Sequence, residues 1–444
     1  MKEKSLRGRW GNRPCIGCGV CAGVCPKGCL KMVPSIEGGY VVEEGEGCIN
    51  CGLCVKVCPF DVDGTHSCPP SADKKPIVQL AGNYTESLIG WVADTNDRMK
   101  SASGGLLTWV LKRLLSEGTI QGVVCAVQTA GSGHPFFEIQ ICRTLEEIDQ
   151  SSGSVYYPTH YSDVLREVIG SNERFAFVGV PCVCTALRRA LEHVPALRKN
   201  RHLILGLTCG GMRSRYYTDF IAAECGLSAS EVHSVVYRSS DSNKPAYVYQ
   251  EQLIDVQGNE YKHRHLTGKS KIATRFGSTF RLAPCFSACM RSFPVQADAA
   301  FMDAWLEPYK TDCYGTNMVL GYTESDEIKS LLTKGQSEGT INLLPATSND
   351  ILQAHSGHLK ERLLNVPRRM KLYGRNAKML YLAEEESSCL DRYLARAADK
   401  FIASGNRIWR VSNHLHLFAL RMYLENLPYF VLKVIRKVVG TRRK

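Results

Sequence analysis

A chain of 444 residues with a formal charge of +12 is too long for one small module, and domain size implies roughly two to four units. Its 20 cysteines would suit a secreted disulfide protein only behind an apolar leader; the chain opens Met1, Lys2, Glu3, Lys4, so a reducing cytoplasm is expected. No uninterrupted run of about 18 apolar residues occurs, which excludes an evident spanning helix. The charge is concentrated late: from Glu361 to Lys444, 18 Lys and Arg stand against 7 Asp and Glu, leaving +11 there and +1 elsewhere.

Near the front, Cys15, Cys18, Cys21 and Cys25 precede Pro26, and after a short gap Cys48, Cys51, Cys54 and Cys58 precede Pro59. Two copies of C-x2-C-x2-C-x3-C-P are the ligand pattern of a bacterial-type ferredoxin with two [4Fe–4S] cubanes, each run giving its fourth thiolate to the other cluster. Cys15, Cys18, Cys21 and Cys58 are thus assigned to one cluster, and Cys48, Cys51, Cys54 and Cys25 to the second. A zinc ribbon would want paired C-x2-C units instead. Cys29 and Cys68 fall outside the pattern and read as spare thiols, and Tyr40-Val-Val is expected as a small strand between the runs.

From Ser67 to Pro76, prolines and small polar residues read as a linker. Beyond it come strand candidates at Ile89, Gly122, Phe175 and Leu203, with helical runs after Leu106, Thr185 and Tyr216. This alternation argues for an α/β sheet with its chemistry at strand ends. The loop Ser101-Ala-Ser103-Gly104-Gly105 opens one of these helices and suits either an anionic group or an ordinary N-cap. A hairpin is expected from Ala246 through the turn at Gln257 and Gly258. Cys182 and Cys209 end two strands, and Cys285 and Cys289 follow; together they make the four thiolates one further cubane needs, or else four separate buried thiols. The stretch from His263 to Ser270 ends like a phosphate loop but lacks its first glycine, and His263 and His265, like His414 and His416, suit a core or solvated role.

The order of Arg98 with Ser101 to Gly105, Gly153-Ser154-Val155-Tyr156, Gly179-Val-Pro-Cys182, Cys209-Gly-Gly211, and Cys285, Cys289, Asp298 and Asp303-Ala-Trp305 resembles the beta subunit of coenzyme F420 hydrogenases and dehydrogenases. The resemblance covers roughly residues 85–345. It implies a flavin domain, an additional [4Fe–4S] cluster beside it, and electron transfer to a two-electron acceptor. Arg98, Ser101, Ser103, Gly104 and Gly105 would line the FAD phosphates with Gly153, Ser154 and Tyr156 nearby, and Cys182, Cys209, Cys285 and Cys289 would hold the inner cluster. The chain departs from the family pattern in having Val155 for a lysine, Gly210 for a histidine, and three residues between Cys285 and Cys289. These departures bear on the deazaflavin substrate more than on the flavin.

The expected architecture is therefore a multidomain α+β and α/β protein. It comprises a two-cluster ferredoxin fold over 1–70, a linker over 71–84, a flavin-binding α/β domain with a mixed sheet over 85–170 and 171–345, and a helical basic tail over 346–444. In the last helix Lys433, Arg436 and Lys437 oppose Val431, Val434, Ile435 and Val438; it would lie on an anionic membrane face or pack on the body. The expected function is an iron–sulfur flavoprotein oxidoreductase passing electrons between the clusters and a two-electron acceptor through FAD. The alternative is a non-catalytic electron-transfer component that feeds a partner enzyme, as in polysaccharide biosynthesis. Expected partners are a redox donor such as ferredoxin or a partner oxidoreductase subunit and an unidentified small-molecule substrate. No nucleic-acid reader motif is present. The expected location is the cytoplasm, with the tail's contact to the inner membrane face left open.

Overall fold

The computed structural model describes residues 14–60, 76–129, 131–263, 279–322, 326–367, 369, 389–412 and 414–441. Outside them lie Cys68, most of the 67–76 linker stretch and the phosphate-loop lookalike after His263; the side chains of Cys389, Arg436, Lys437 and Val438 are likewise not described. Thirteen strands occur among the described residues: β1 Leu30–Pro34, β2 Tyr40–Glu44, β3 Glu86–Val92, β4 Gly122–Gln128, β5 Phe137–Cys142, β6 Phe175–Gly179, β7 Leu203–Leu207, β8 Val232–Ser239, β9 Gln250–Asp255, β10 Glu260–His263, β11 Ala299–Asp303, β12 Asn317–Gly321 and β13 Ile341–Pro345.

Eight of these form one mixed sheet in the order β13-β3-β12-β11-β7-β6-β4-β5. Its centre is parallel, with β11 on β7, β7 on β6 and β6 on β4, and antiparallel pairs close both sides. The central strands β6 and β7 are short, nearly continuous apolar runs, as a sheet covered on both faces requires. Gly206 in β7 permits a close crossing: a Cβ there would stand 2.3 Å from Pro294. The crossing brings the 292–297 stretch onto β7, which ends two residues before Cys209. Asp298 fixes the same corner, accepting from Ile204 N at 2.8 Å and from Arg188 Nη2 at 2.8 Å.

The expected hairpin is β9 and β10, joined to β8 in a separate three-stranded antiparallel sheet; it begins at Gln250, later than the alternation from Ala246 suggested. Helix Leu106–Ser116 buries Leu106, Val110, Leu111 and Leu114, an apolar stripe at helical spacing. Within the residues expected as linker, Pro76–Ala81 forms a helix, because Ile77, Leu80 and Ala81 bury against Ile89, Phe293 and Met302.

At the N-terminus β1 and β2 pair antiparallel, flanked by short helices Val20–Gly23 and Leu53–Lys56 that follow left-handed Gly19 and Gly52. This unit shares a core with the body: Val20, Ala22, Val24, Val57 and Phe60 pack with Leu165, Phe177, Val183 and Leu187. The seam is narrow. A Cβ on Gly19 would lie 2.9 Å from His160 Cβ, and one on Gly23 2.9 Å from Leu165 Cβ. Tyr161 N donates to Cys18 O at 2.9 Å, and Arg166 Nη2 donates to Ala22 O and Leu30 O at 3.2 and 3.1 Å.

The C-terminal helices Cys389–Ser412, Leu415–Glu425 and Leu427–Thr441 join the body through an aromatic knot of Trp409 and Phe418 with Phe220 and Phe280. Gly405 is pressed onto Thr279, where a Cβ would fall 2.1 Å from Oγ1.

Gly23→Val should force the ferredoxin unit off the helix Ser162–Gly170 and cost about 1–3 kcal/mol as an overpacked contact. Urea denaturation of the variant checks this; an unchanged midpoint would show that the seam tolerates bulk.

Candidate functional site

The eight N-terminal cysteines meet in two groups. Cys15, Cys18, Cys21 and Cys58 wall one recess with Ile16, Met32, Val57 and Phe60. Cys25, Cys48, Cys51 and Cys54 wall the other, joined by Cys29, whose Sγ is 3.4 Å from Cys25 Sγ. Each run thus sends its last cysteine across to the other run, and Cys29, read from sequence as a spare thiol, stands at the second recess. The two differ in depth: Cys21 and Cys58 are buried, whereas Cys51 is exposed. Burial pushes the Cys18 thiol up to about 12, against the N–H of Val20, with Cys58 and Cys15 adding to the rise. Burial also raises Cys25, but N–H donors of Lys27, Cys29 and Leu30 and the Cys29 thiol outweigh it and lower that group.

At the carboxyl ends of the central strands lies a cavity of about 530 Å³, within the usual size of cofactor pockets. Cys18 lines it as well as the first recess. Cys182, in the first turn of the helix Pro181–His193 that begins with a proline, also lines it, with Cys209 after β7 and Cys285 and Cys289 from the segment that begins Ala283–Ser287. The structure therefore brings the four dispersed cysteines to one place. Burial drives Cys182 well above its ordinary value, and Cys289, Cys285, Cys209 and Cys18 push it further. Cys285 rises to about 12 through burial and then its cysteine neighbours. Burial raises Cys209 too, opposed by Arg362 and Arg281. Loading iron here must release the protons that burial holds on these sulfurs. Among the described residues, no three His, Cys, Asp or Glu side chains group tightly enough for a single metal ion; a cubane needs a wider cage.

Ser101, Ser103, Gly105, Gly153, Ser154 and Tyr156 line the same cavity, whereas Arg98 and Gly104 do not. Arg98 is buried and committed elsewhere, to Asp312 and to the carbonyl of Gly315, with its guanidinium over Trp91 and Tyr314. It braces the loop from behind. Gly104 takes φ +48, and a Cβ there would stand 2.6 Å from Asn317 Oδ1, which itself accepts from Leu106 N at 2.9 Å. One N–H of that helix start is therefore already satisfied by Asn317.

Other cavity-lining groups, apart from Asp303 and Trp305 of the family pattern, carried no signal in the sequence. Arg238 pairs with Asp303 at 3.0 Å and stacks over Tyr249 and Trp305. Thr208 Oγ1, Arg291 Nε and Nη2, His355 Nε2 and His358 Nδ1 are buried on the cavity wall and lack a hydrogen-bond partner among the described residues, a costly state that a polar cofactor or substrate would relieve. Where the family pattern has a histidine, this chain has Gly210, and a Cβ there would meet His358 Nε2 at 3.7 Å. Burial lowers His355 to about 4; it lowers His358 to about 3, helped by His355, Arg362 and Arg281. The donors and the volume fit a four-thiolate cluster with an elongated polar cofactor beside it.

Residues 88–166 match the family described as "Coenzyme F420 hydrogenase/dehydrogenase, beta subunit N-term", and residues 172–349 match the corresponding C terminus. The chain belongs to this family of beta subunits. Residues 14–62 match a 4Fe-4S dicluster domain. A subunit of the F(420)H(2) dehydrogenase of Methanosarcina mazei is 27% identical over 199 residues, covering 44% of this chain and 53% of that protein. The coenzyme F420 hydrogenase subunit beta of Methanothermobacter thermautotrophicus is 25% identical over 166 residues, 35% of this chain and 57% of that one. The chain thus spans little more than half the length of the curated relatives it matches. A chain of the F420-reducing [NiFe] hydrogenase complex from Methanosarcina barkeri superposes with a TM-score of 0.49 at 15% identity, over 66% of this chain and 94% of that one.

Glu251, on the cavity wall, accepts from Tyr217 at 2.8 Å and faces His263 Nδ1 at 3.3 Å, with Glu224 at 3.6 Å from Nε2. Burial alone would lower His263, but the two carboxylates win and raise it from 6.5 to about 9. The fold therefore binds this proton more tightly than the unfolded chain, so the contribution is complete below pH 6.5 and disappears as pH rises through about 9. Denaturation midpoints should fall across that window in the native protein, and His263→Gln should flatten the fall. An equal alkaline loss in the variant would contradict the assignment.

Proposed function

We propose that this chain is an iron–sulfur flavoprotein oxidoreductase passing electrons between two N-terminal [4Fe–4S] clusters and a two-electron acceptor, by way of a third cluster and FAD. When bound, the clusters carry electrons singly and the flavin exchanges one or two, which joins a one-electron donor to a two-electron acceptor. The observation that carries this reading is Cys18, which walls both an N-terminal recess and the cavity containing Cys182, Cys209, Cys285 and Cys289.

The chain's own residues divide the work. Exposed Cys51 sets the second recess toward a redox donor such as ferredoxin, while the first recess lies deeper, against the body. Ser101, Ser103, Gly105, Gly153 and Ser154 wall the place proposed for the FAD phosphates, with Arg98 and Gly104 shaping that loop. The hydroxyls of Ser101 and Ser103 hold the loop through the carbonyls of Asp97 and Thr316, both at 2.9 Å, which leaves donation to Ser154 and to backbone N–H groups of Ser103, Gly153 and Ser154. Tyr156, Tyr249 and Trp305 give apolar surface, and neutral His355 and His358 are placed to orient a small-molecule substrate. Both curated relatives are named as subunits, which favours a partner oxidoreductase subunit as a second reading. A purified protein inert until such a partner is added would select it.

Among the described residues no helix is long and apolar enough to cross a membrane. The last two helices nevertheless expose Leu417, Leu420, Leu424, Leu427, Val431, Val434 and Ile435, beside Lys433 and within the basic region. We propose that this stripe rests on an anionic membrane surface. Vesicles containing phosphatidylserine should sediment the protein and neutral vesicles should not, with Leu424→Glu plus Val434→Glu abolishing retention; retention unaffected by those changes would contradict it.

Anaerobic purification followed by iron and flavin analysis tests the main reading. It requires about twelve irons and one FAD per chain, and about eight irons in Cys182→Ser with flavin kept. About eight irons and no flavin in the native protein would overturn it.

A further inference from the structure

The matched family region ends at residue 349, yet the chain beyond it supplies a buried cation to the four-cysteine end of the cavity. Arg362 lies in a π-helical turn, Glu361–Asn365, and is 1% exposed. Its Nη1 donates to the carbonyl oxygens of Cys289 and Cys285 at 2.7 and 3.2 Å, its Nη2 to that of Cys209 at 3.4 Å, and its Nε to Ser292 Oγ at 3.0 Å. Ser292 in turn accepts from Cys209 N at 2.9 Å through its carbonyl. One planar guanidinium therefore ties together the backbones of three cysteines from two separate segments.

These four acceptors are uncharged. The neighbouring carboxylate, Glu361, is committed to Arg281 at 3.1 Å and Arg369 at 2.7 Å, and Arg369 is held further by Asp399 at 2.8 Å. Among the described residues, the guanidiniums of Arg281, Arg362 and Arg369 thus stand with the carboxylates of Glu361 and Asp399, an excess of positive charge in which Arg362 and Arg369 are themselves buried. A buried cation is costly unless an anion meets it. The anion that fits is the set of four thiolates around an iron–sulfur core, whose net negative charge grows by one on reduction. π-helical turns concentrate at functional sites, and this one aims its arginine at the ligand backbones.

We propose that Arg362 is a positioning residue for the third cluster: its fork registers the backbones of Cys209, Cys285 and Cys289, and its charge favours the reduced state. The inference rests on the third-cluster reading above. The gain of one electron there is balanced by loss of one from the neighbouring N-terminal cluster, across the Cys18 and Cys182 junction. Substituting a neutral residue lowers the third cluster's midpoint potential, because the added negative charge loses its nearest cation. Lysine keeps the charge and loses the fork.

The test is an EPR-monitored redox titration with iron counts on the full chain, prepared anaerobically, for native protein, Arg362→Gln, Arg362→Lys and the exposed control Arg407→Gln. In Arg362→Gln the third midpoint should fall by at least about 59 mV, a tenfold change in the one-electron equilibrium, or that cluster's irons should be lost with the other eight or so retained. Arg362→Lys should hold its midpoint within that interval but surrender iron to a chelator faster than native protein. Arg407→Gln should match native protein throughout. A Gln variant with native midpoint and iron content overturns the proposal, as does a Lys variant displaced beyond about 59 mV. Should the Gln protein fail to fold, the Lys protein alone decides by the same limit. About eight irons in the native protein would sink the third-cluster reading itself, whereas about twelve with unresponsive variants would sink only the role of Arg362.

Discussion

The close approach at Gly19 and Gly23 governs the arrangement of the whole molecule. With no side chains at these positions, the short helix after Cys18 lies directly on the helix Ser162–Gly170, and the N–H of Tyr161 reaches the carbonyl of Cys18. Bulk at either glycine would displace the cysteine-rich unit from the mouth of the body's cavity. Because Val20, Val57 and Phe60 then share a core with Leu165 and Phe177, the unit is fixed by the same hydrophobic burial that holds the sheet. Position at the front and chemistry at the strand ends become one constraint.

The second constraint is charge in a dry place. Thirteen cysteines, Cys29 included, gather in three groups, and burial holds many of their thiols far from ionisation. Thiolates at the four-cysteine site would need compensation, and cations stand there: Arg362 and Arg369 from the C-terminal region and Arg281 from the body, the last two joined through Glu361, with Asp399 on Arg369. The tail is thus a structural part of the four-cysteine site as well as a basic surface. Its helices are kept there by Trp409 and Phe418 locking onto Phe220 and Phe280.

What could be read in the sequence follows from how local each signal is. The two cysteine runs announce themselves because all their ligands fall within short windows, and β6 and β7 do so because a strand buried on both faces must be apolar throughout. Cys182, Cys209, Cys285 and Cys289 could be read from their number and positions either as one ligand set or as four separate thiols, since their meeting depends on Gly206 admitting Pro294, and the resemblance implied the first. Strands β5, β11, β12 and β13 were not singled out, because short strands with mixed composition differ little from loops until pairing decides them. Arg362 had no signal at all: a guanidinium that binds backbone carbonyls leaves no motif. Arg98 was expected at the phosphates, but its partner Asp312 is distant in sequence and invisible to local reading.

The junction of Cys18 with Cys182 is the step on which the proposed electron path depends. Low-temperature EPR of the fully reduced, anaerobically prepared protein measures it most directly, since paramagnetic clusters that adjoin one another broaden and split each other's signals. The account predicts interaction-broadened spectra that simplify when Cys182 is replaced by serine. Spectra of magnetically isolated clusters, unchanged by that replacement, would contradict it.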